Sequence, residues 1–156
     1  MSKIEELDPV NRRILQELIA NARISVSELA DRVGLSKTPV TQRIRQMEEM
    51  GLITGYRVML SPMKLGLTHV TYVEVKMTDT RQAALDKFNK GVRQIEEVEE
   101  CYMIAGGYDY LLKVRSEDIM HFRRILAEQI SALPYLNSTR SYVAMEAVVE
   151  QNWTPL

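Results

Sequence analysis

Residues 25–50, SVSELADRVGLSKTPVTQRIRQMEEM, predict two short helices joined by a tight turn. Ser25 is a good N-cap, and Glu28 follows three residues later, which is the spacing of a capping box. Gly34 stands where a helix that ends in the left-handed conformation needs glycine. Apolar residues between these two signals recur at helical spacing, so the first helix is expected to end at the turn that contains Gly34.

The second helix of the pair carries a polar outer face. It begins either after Ser36, as its N-cap, or at Thr38-Pro39, because proline favours the first helical position. The outward side chains are of the types that read base edges and phosphates, and a helix-turn-helix places such a helix in the major groove. The alternative is an ordinary helical pair with a solvated surface. The candidate DNA-binding residues are Ser36, Lys37, Thr38, Thr41, Gln42, Arg43 and Arg45.

Charge is distributed unevenly, although the 156-residue chain has a net charge of only −1. Residues 1–64 carry ten basic and eight acidic side chains, a net charge of +2, and residues 65–156 carry ten and thirteen, a net charge of −3. Four basic residues and no acidic residue lie between Arg32 and Met47. Such a modest basic patch predicts that DNA affinity relies on several copies of the domain acting together.

Composition excludes several other classes of protein. The single cysteine, Cys101, rules out a disulfide framework, and with only two separated histidines it argues against a structural zinc site. No apolar run approaches the length of a membrane span. The acidic N-terminal residues do not fit a signal peptide. We therefore expect a cytoplasmic protein without a membrane partner and without a cofactor.

A further helix precedes the pair, and an extended segment follows it. Asp8-Pro9 supplies an N-cap and a first-turn proline for a helix that ends near Asn21. Three helices with facing apolar stripes predict a small DNA-binding head over residues 1–53, of the winged helix-turn-helix type. The β-forming residues from Thr54 to Leu60 predict a strand, which together with a linker fills residues 54–67.

The remaining residues, 68–156, predict a ferredoxin-like βαββαβ domain and hence an α+β protein. Period-two alternation indicates the strands, and longer apolar periods indicate the two helices, the second of them capped by Ser116. The predicted strands are 69–78, 98–105, 108–115 and 138–149, and the predicted helices are 80–95 and 117–133. With both helices on one face, the other sheet face stays open for a symmetric dimer. Its candidate residues are Val70, Tyr72, Tyr142, Ala144 and Val148.

Short motifs in both halves resemble the leucine-responsive regulatory protein/AsnC family of prokaryotic transcription regulators. The head contributes Leu7-Asp8, Arg23-Ile24-Ser25, Glu28-Leu29-Ala30, the run 32–36, Thr38-Pro39, Arg43-Ile44 and Gly51-Leu52-Ile53. The second half contributes Glu100-Cys101, the run 106–112, Leu133-Pro134 and the run 139–143. The resemblance extends from Leu7 to about Val149 and depends on the combination of the two halves.

The resemblance implies a regulator that senses a small amino acid. Members of this family form dimers that assemble further, to tetramers or octamers, and bind the effector at contacts between dimers. The implied effector-binding residues are Met103, Gly106, Gly107, Tyr108, Asp109, Tyr142 and Val143. Glycines expose backbone N–H groups to a carboxylate, and an acidic side chain accepts from an α-ammonium group. The leucine sensor carries an acidic residue where this chain has Gly107, so an amino acid is implied but leucine is not.

Several alternatives stay open from the sequence. Gly106-Gly107 could serve only as the turn of a hairpin, and Asp109 could equally pair with a basic neighbour across an oligomer contact. The chain could be an architectural DNA-binding protein without an effector, or a metabolite-binding module without DNA. An enzyme is the remaining alternative, because the ferredoxin-like fold supports many activities. No nucleophile-base pair, metal cluster or phosphate loop stands out in residues 65–156, so we predict that the chain is not an enzyme.

Overall fold

The computed structural model describes residues 7–150, which divide into two compact units between Met59 and Leu60. The first unit contains α1 (Pro9–Ala20), α2 (Val26–Val33) and α3 (Lys37–Glu49). The second contains β1 (His69–Met77), α4 (Gln82–Val92), β2 (Val98–Met103), β3 (Tyr110–Ser116), α5 (Ile119–Ile125) and β4 (Leu136–Val143). A π-helical turn, Leu126–Ile130, continues α5. The predicted α+β class and its βαββαβ order are confirmed.

Side-chain caps define the ends of α1 and α2 as the sequence predicts. Asp8 caps α1, and its Oδ1 accepts from the backbone N–H of Val10 at 2.7 Å. Ser25 caps α2 through a bond from the Glu28 N–H to its Oγ at 3.1 Å. The Glu28 carboxylate pairs with Arg32 at 2.7 Å, four residues along the helix, and supplies a helical ion pair. Gly34 has φ +72° and ends α2, a backbone conformation that glycine adopts without steric cost.

The first of the two possible starts for the second helix is the one observed. α3 begins at Lys37 with Ser36 in the N-cap position, but the Ser36 hydroxyl makes no capping bond. Pro39 is the third helical residue, where a missing N–H removes no helical hydrogen bond. The turn therefore passes directly from Gly34 into α3 within two residues.

One apolar cluster holds the three helices of the head together. Val40 and Met47 of α3 are buried against side chains from α1 and α2. The buried members are Ile14, Leu15, Leu29, Ala30, Val33, Val40 and Met47. Because Val40 and Met47 are spaced seven residues apart, they fix which face of α3 points inward and leave the opposite face to solvent.

The sheet of the second unit has the strand order β2-β3-β1-β4, and all neighbouring strands are antiparallel. Its helix-covered face contributes the core residues Val73 and Val75 of β1 and Leu112 and Val114 of β3. Phe88 of α4 packs over this face, with its ring centroid 4.5 Å from that of Tyr110. A Cβ on Gly91 would approach Leu133 Cδ2 to 2.7 Å, so this glycine inside α4 permits close packing against Leu133, which follows the π-helical turn.

Four local predictions are wrong. Residues 54–60 form no strand within the described chain, because no neighbouring strand supplies the hydrogen bonds, and Val58 is 84% exposed. β4 ends at Val143 rather than at residue 149, since it follows β1 only as far as Thr71. Asp118, not Ser116, caps α5 by accepting from the His121 N–H at 2.7 Å.

The fourth concerns the open sheet face. Tyr72 and Tyr142 are opposite each other there and partly exposed, as predicted. Val70, in contrast, is buried, with 8% of its surface accessible. Val148 lies beyond the end of β4. The exposed part of the predicted face is therefore the tyrosine pair, since Val70 is covered and Ala144, like Val148, follows the end of β4.

Candidate DNA interface and effector loop

Six of the predicted DNA-binding residues share the exposed face of α3 and its N-cap. All six are exposed, and the helical period places Thr38, Thr41, Gln42 and Arg45 on the side of α3 away from Val40 and Met47, which anchor the helix in the head core. We call this surface the recognition face; it consists of Ser36, Lys37, Thr38, Thr41, Gln42 and Arg45. The core contacts of α3 thus present a continuous polar surface to solvent.

Local bonds leave most donors of the recognition face available. Thr41 Oγ1 donates to the Lys37 carbonyl at 3.0 Å, within the helix. Arg45 Nε pairs with Glu49 Oε1 at 2.9 Å, but 79% of the Arg45 side chain is exposed. An exposed ion pair of this kind is weak, so Arg45 can exchange Glu49 for a base or a phosphate at little cost.

Arg43 lies apart from the other candidates. Its Nη1 donates to Asn11 Oδ1 at 2.8 Å and lies 3.3 Å from Asp8 Oδ2, and both partners belong to the start of α1. The 3.6-residue period places Arg43 on the inward side of α3, next to Val40 and Met47. The helical period was the signal that could have separated Arg43 from Arg45, whereas its partners, more than thirty positions earlier in the chain, could not be read from the sequence pattern.

Arg32 is also engaged inside the head. Its guanidinium contacts Glu17 at 2.6 Å and Glu28 at 2.7 Å, and hydrogen bonding to Glu17 is the main reason why its pKa is raised. The basic patch that runs from Arg32 to Met47 in the sequence is therefore divided. Arg32 and Arg43 join helices to one another, and Lys37 and Arg45 face outward.

The predicted effector residues nearest to one another lie in the hairpin that joins β2 to β3. Met103 ends β2, and Gly106, Gly107 and Tyr108 form the exposed or half-buried connection. Asp109 closes the hairpin through its backbone. Its carbonyl oxygen accepts from the Ile104 N–H at 2.9 Å, and its own N–H donates to the Val75 carbonyl at 2.9 Å. We call residues 104–109 the effector loop.

The Asp109 carboxylate has partners within the same chain. Oδ2 accepts from the Met77 N–H at 2.8 Å, and Oδ1 lies 3.2 Å from Lys76 Nζ. Asp109 thus joins the effector loop to the end of β1. Sequence reasoning missed Lys76 and Met77, since only the pairing of β1 with β3 shows that they reach this loop.

Tyr142 and Val143 lie at the opposite end of β1 from the effector loop. Tyr142 pairs with Tyr72 and Val143 with Thr71, whereas Asp109 reaches Met77. Five residues of strand separate Tyr72 from Met77, a distance of roughly 17 Å at the usual rise of a strand. The fold brings Met103 and residues 106–109 together but does not bring Tyr142 or Val143 to them within one chain.

An ionic cluster lies on the open sheet face. Arg115 binds the carboxylates of Glu99 and Glu150, and Lys113 Nζ lies 2.7 Å from Glu150 and 3.1 Å from Glu99. Burial opposes ionisation of Glu99, but hydrogen bonds from Arg115 and Lys113 outweigh it and lower its pKa. The Lys113 bond lowers the pKa of Glu150. The cluster attaches the segment after β4 to β3.

This cluster predicts a loss of stability in acid. Carboxylates whose folded-state pKa is lowered stabilise the fold above their ordinary pKa of 4.5, and this stability is lost as the pH falls through the lowered value. The urea midpoint of the second unit should therefore fall between pH ~5 and pH ~3. Arg115→Gln removes the main partner of Glu99, so the urea midpoint of this variant should depend less on pH over this range than that of the wild type. If the urea midpoints of the wild type and of Arg115→Gln depended equally on pH, the ionic cluster would not be the source of the acid sensitivity.

Family models match both units of the chain. The model described as "Winged helix-turn-helix DNA-binding" matches residues 7–54, and the one described as "Lrp/AsnC ligand binding domain" matches residues 70–154. The chain belongs to the Lrp/AsnC family. The predicted family and the predicted function, a DNA-binding regulator of transcription with an amino-acid-binding domain, are confirmed.

Individual relatives match this Lrp/AsnC regulator over nearly its full length. The "Proline dehydrogenase transcriptional activator" of Rhodobacter capsulatus is 71% identical over 146 residues, covering 94% of this chain and 95% of the relative. The leucine-responsive regulatory protein of Escherichia coli K12 is 40% identical over 148 residues, with 95% and 90% covered. A Neisseria meningitidis transcriptional regulator in complex with L-Met has a TM-score of 0.88 and 28% identity, with 96% of both chains covered.

Two searches of the described residues limit other kinds of site in this Lrp/AsnC regulator. Between residues 7 and 150, no helix is both long enough and apolar enough to cross a membrane. In the same range, no three His, Cys, Asp or Glu side chains are grouped so that they could hold a metal ion.

Proposed function

We propose that this regulator activates transcription of a proline dehydrogenase gene and that a small amino acid, with proline as the first candidate, controls its activity. The observation that carries the proposal is the 71% identity, over 94% of the chain, to a protein with that named role. An activator of a catabolic gene is useful when it responds to the substrate of the encoded enzyme. Proline is a small amino acid, the effector class implied by the family.

The recognition face supports the DNA-binding half of this proposal. A B-DNA major groove is wide enough to admit a helix, and the side chains on this face match its chemistry. Arg45 and Lys37 suit guanine or phosphate, Gln42 suits adenine, and Thr38 and Thr41 suit several bases. We infer that the recognition face binds in the major groove, and that two heads of a dimer bind half-sites about 34 Å apart.

The effector loop supports the amino-acid half. Gly106 and Gly107 carry no Cβ, and both are exposed, so their backbone N–H groups are accessible to a carboxylate. Asp109 Oδ1 already faces a cation, Lys76 Nζ at 3.2 Å. We infer that the α-ammonium group of the effector shares or replaces Lys76 at this oxygen, since a carboxylate has about four acceptor sites.

The arrangement of the candidate residues favours a site completed by a second copy. Tyr142 and Val143 are too far from the effector loop to contact the same small ligand within one chain. A ligand bound between copies changes activity only as far as it prefers one assembly over another. We infer that dimers assemble to tetramers or octamers and that the effector shifts this assembly.

The other readings have less support. An architectural protein without an effector does not account for the match to a ligand-binding domain, and a metabolite-binding module without DNA does not account for the match to a DNA-binding domain. The matched relatives are regulators of transcription, which supports a non-enzymatic role. A regulator of this kind acts in the cytoplasm, at the nucleoid.

The test is a thermal-shift titration with each of the twenty amino acids, followed by light scattering on each ligand that binds. A ligand at a hundred times its Kd stabilises the folded state by about 2.7 kcal/mol, so proline should raise the Tm by several degrees. Asp109→Asn should weaken this response, and Asp86→Asn, on the exposed surface of α4, serves as the matched control. A proline response of equal size in Asp109→Asn would contradict the assigned site, and no response to any amino acid would contradict effector control.

A further inference from the structure

We infer that Arg43, although it belongs to the recognition helix, is a positioning residue that sets the orientation of α3 rather than a residue that contacts DNA. The inference rests on the proposed binding of the recognition face in the major groove. It concerns how that face is held, and it separates Arg43 from the other basic residues of α3.

The geometry joins Arg43 to the first turn of α1. Nη1 donates to Asn11 Oδ1 at 2.8 Å and lies 3.3 Å from Asp8 Oδ2. The guanidinium is a planar group with fixed donor directions, so two partners on one helix define both its position and its angle. About one-third of the Arg43 side chain is exposed, against 79% for Arg45.

The Asp8 carboxylate serves two helices at once. Its Oδ1 accepts from the Val10 N–H at 2.7 Å and the Asn11 N–H at 3.3 Å, which caps α1. Its Oδ2 faces the Arg43 guanidinium of α3. The cap that begins α1 is therefore also the anchor of α3, and Asn11 in the same turn provides the second contact.

Apolar packing alone leaves this orientation less well defined. Val40 and Met47 bury α3 on the core, but apolar contacts are non-directional, and a helix can rock about such a seam. The directional bonds of Arg43, between these two residues in sequence, resist that motion. Base recognition depends on side chains meeting base edges in a narrow range of geometry, so the orientation of α3 affects specific binding more than non-specific binding.

A positioning residue and a phosphate contact have different signatures in DNA binding. A lost phosphate contact weakens binding to all sequences and lowers the slope of log K against log salt by about 0.9. A lost positioning contact weakens specific binding and leaves both the non-specific affinity and the salt slope unchanged. The comparison needs a specific duplex, selected by the wild-type protein from a random pool, and a scrambled duplex of equal length.

The experiment measures both affinities by fluorescence anisotropy over a salt series for Arg43→Gln, Arg45→Gln and Asp8→Asn. Asp8→Asn removes the charge that faces Arg43 but keeps a good N-cap residue, so α1 is retained. Arg43→Gln and Asp8→Asn should each reduce the ratio of specific to non-specific affinity at least fivefold, with the wild-type salt slope. In the double variant Arg43→Gln/Asp8→Asn, the ratio of specific to non-specific affinity should fall by less than the product of the two single reductions. Both substitutions remove the contact between Arg43 and Asp8, so their effects are not independent.

Several results would overturn the inference. One is a slope of log K against log salt that falls by about 0.9 in Arg43→Gln, which is the loss of one phosphate contact. That result is the one expected for Arg45→Gln if Arg45 binds phosphate. Another is wild-type specificity in Arg43→Gln or, if that variant does not fold, in Asp8→Asn. Failure of the proposed function looks different, because the wild-type protein would then select no duplex and would bind the scrambled one equally well.

Discussion

Ile14→Ala is expected to abolish specific DNA binding and to leave the second unit folded. Ile14 has no accessible surface and lies in the centre of the apolar cluster that joins α1, α2 and α3. Truncating a buried isoleucine to alanine costs about 2–5 kcal/mol, which is a large part of the stability of so small a helical unit. The recognition face loses its support when this core opens.

The matched variant is Phe88→Ala in the second unit. Phe88 is equally inaccessible and packs on Tyr110, so its truncation costs about 3–5 kcal/mol. Calorimetry should show two transitions, one for each unit. Ile14→Ala should lower the Tm of the first unit only, and Phe88→Ala should lower the Tm of the second unit only. Ligand binding should survive in Ile14→Ala and fail in Phe88→Ala. A single transition lowered equally by both changes would contradict independent units.

The second large effect is expected from Gln42→Ala combined with Arg45→Ala. Both side chains lie on the recognition face, and neither contributes to the buried core of the head. Loss of a good base contact weakens binding by roughly 5- to 150-fold, so the double variant should bind its operator some hundredfold or more weakly. Its Tm should stay within a few degrees of wild type, since surface substitutions have small effects on stability.

Gln16→Ala is the control for this variant. Gln16 is an exposed residue of α1, outside the recognition face, and its loss should change operator affinity by less than twofold. Anisotropy titrations at one fixed salt concentration suffice for the comparison. Wild-type affinity in the double variant would remove the recognition face from the DNA interface.

Local signals predicted the head well because they act over a few residues. Asp8, Ser25 and Gly34 each determine a helix end through bonds within four positions, and the structure places those ends as predicted. The βαββαβ order of the second unit could also be predicted, because the spacing of apolar residues that distinguishes a strand from a helix is likewise a local signal. The start of α5 was missed because Ser116 and Asp118 both fit a cap, and burial of Ser116 in β3 decides between them.

Long-range pairing accounts for what the sequence could not supply. Arg43 was grouped with Arg45 as a DNA-binding candidate, but its partners, Asp8 and Asn11, belong to the start of α1, far away in the sequence. Asp109 was predicted to bind an effector, and the sequence did not show that β1 supplies partners for its carboxylate. The strand over residues 54–60 was predicted from composition, yet a strand exists only where a neighbour completes its hydrogen bonds. Both candidate sites therefore remain predictions at the level of single residues.

The separation of Tyr142 and Val143 from the effector loop has a consequence for sensitivity in the cell. If these residues belong to one site, each ligand must be held by two copies of the chain, and occupancy then rises with the concentration of the regulator as well as with that of the amino acid. By linkage, the ligand also tightens the assembly that binds it. The amount of regulator that a cell makes would then set the nutrient threshold to which it responds.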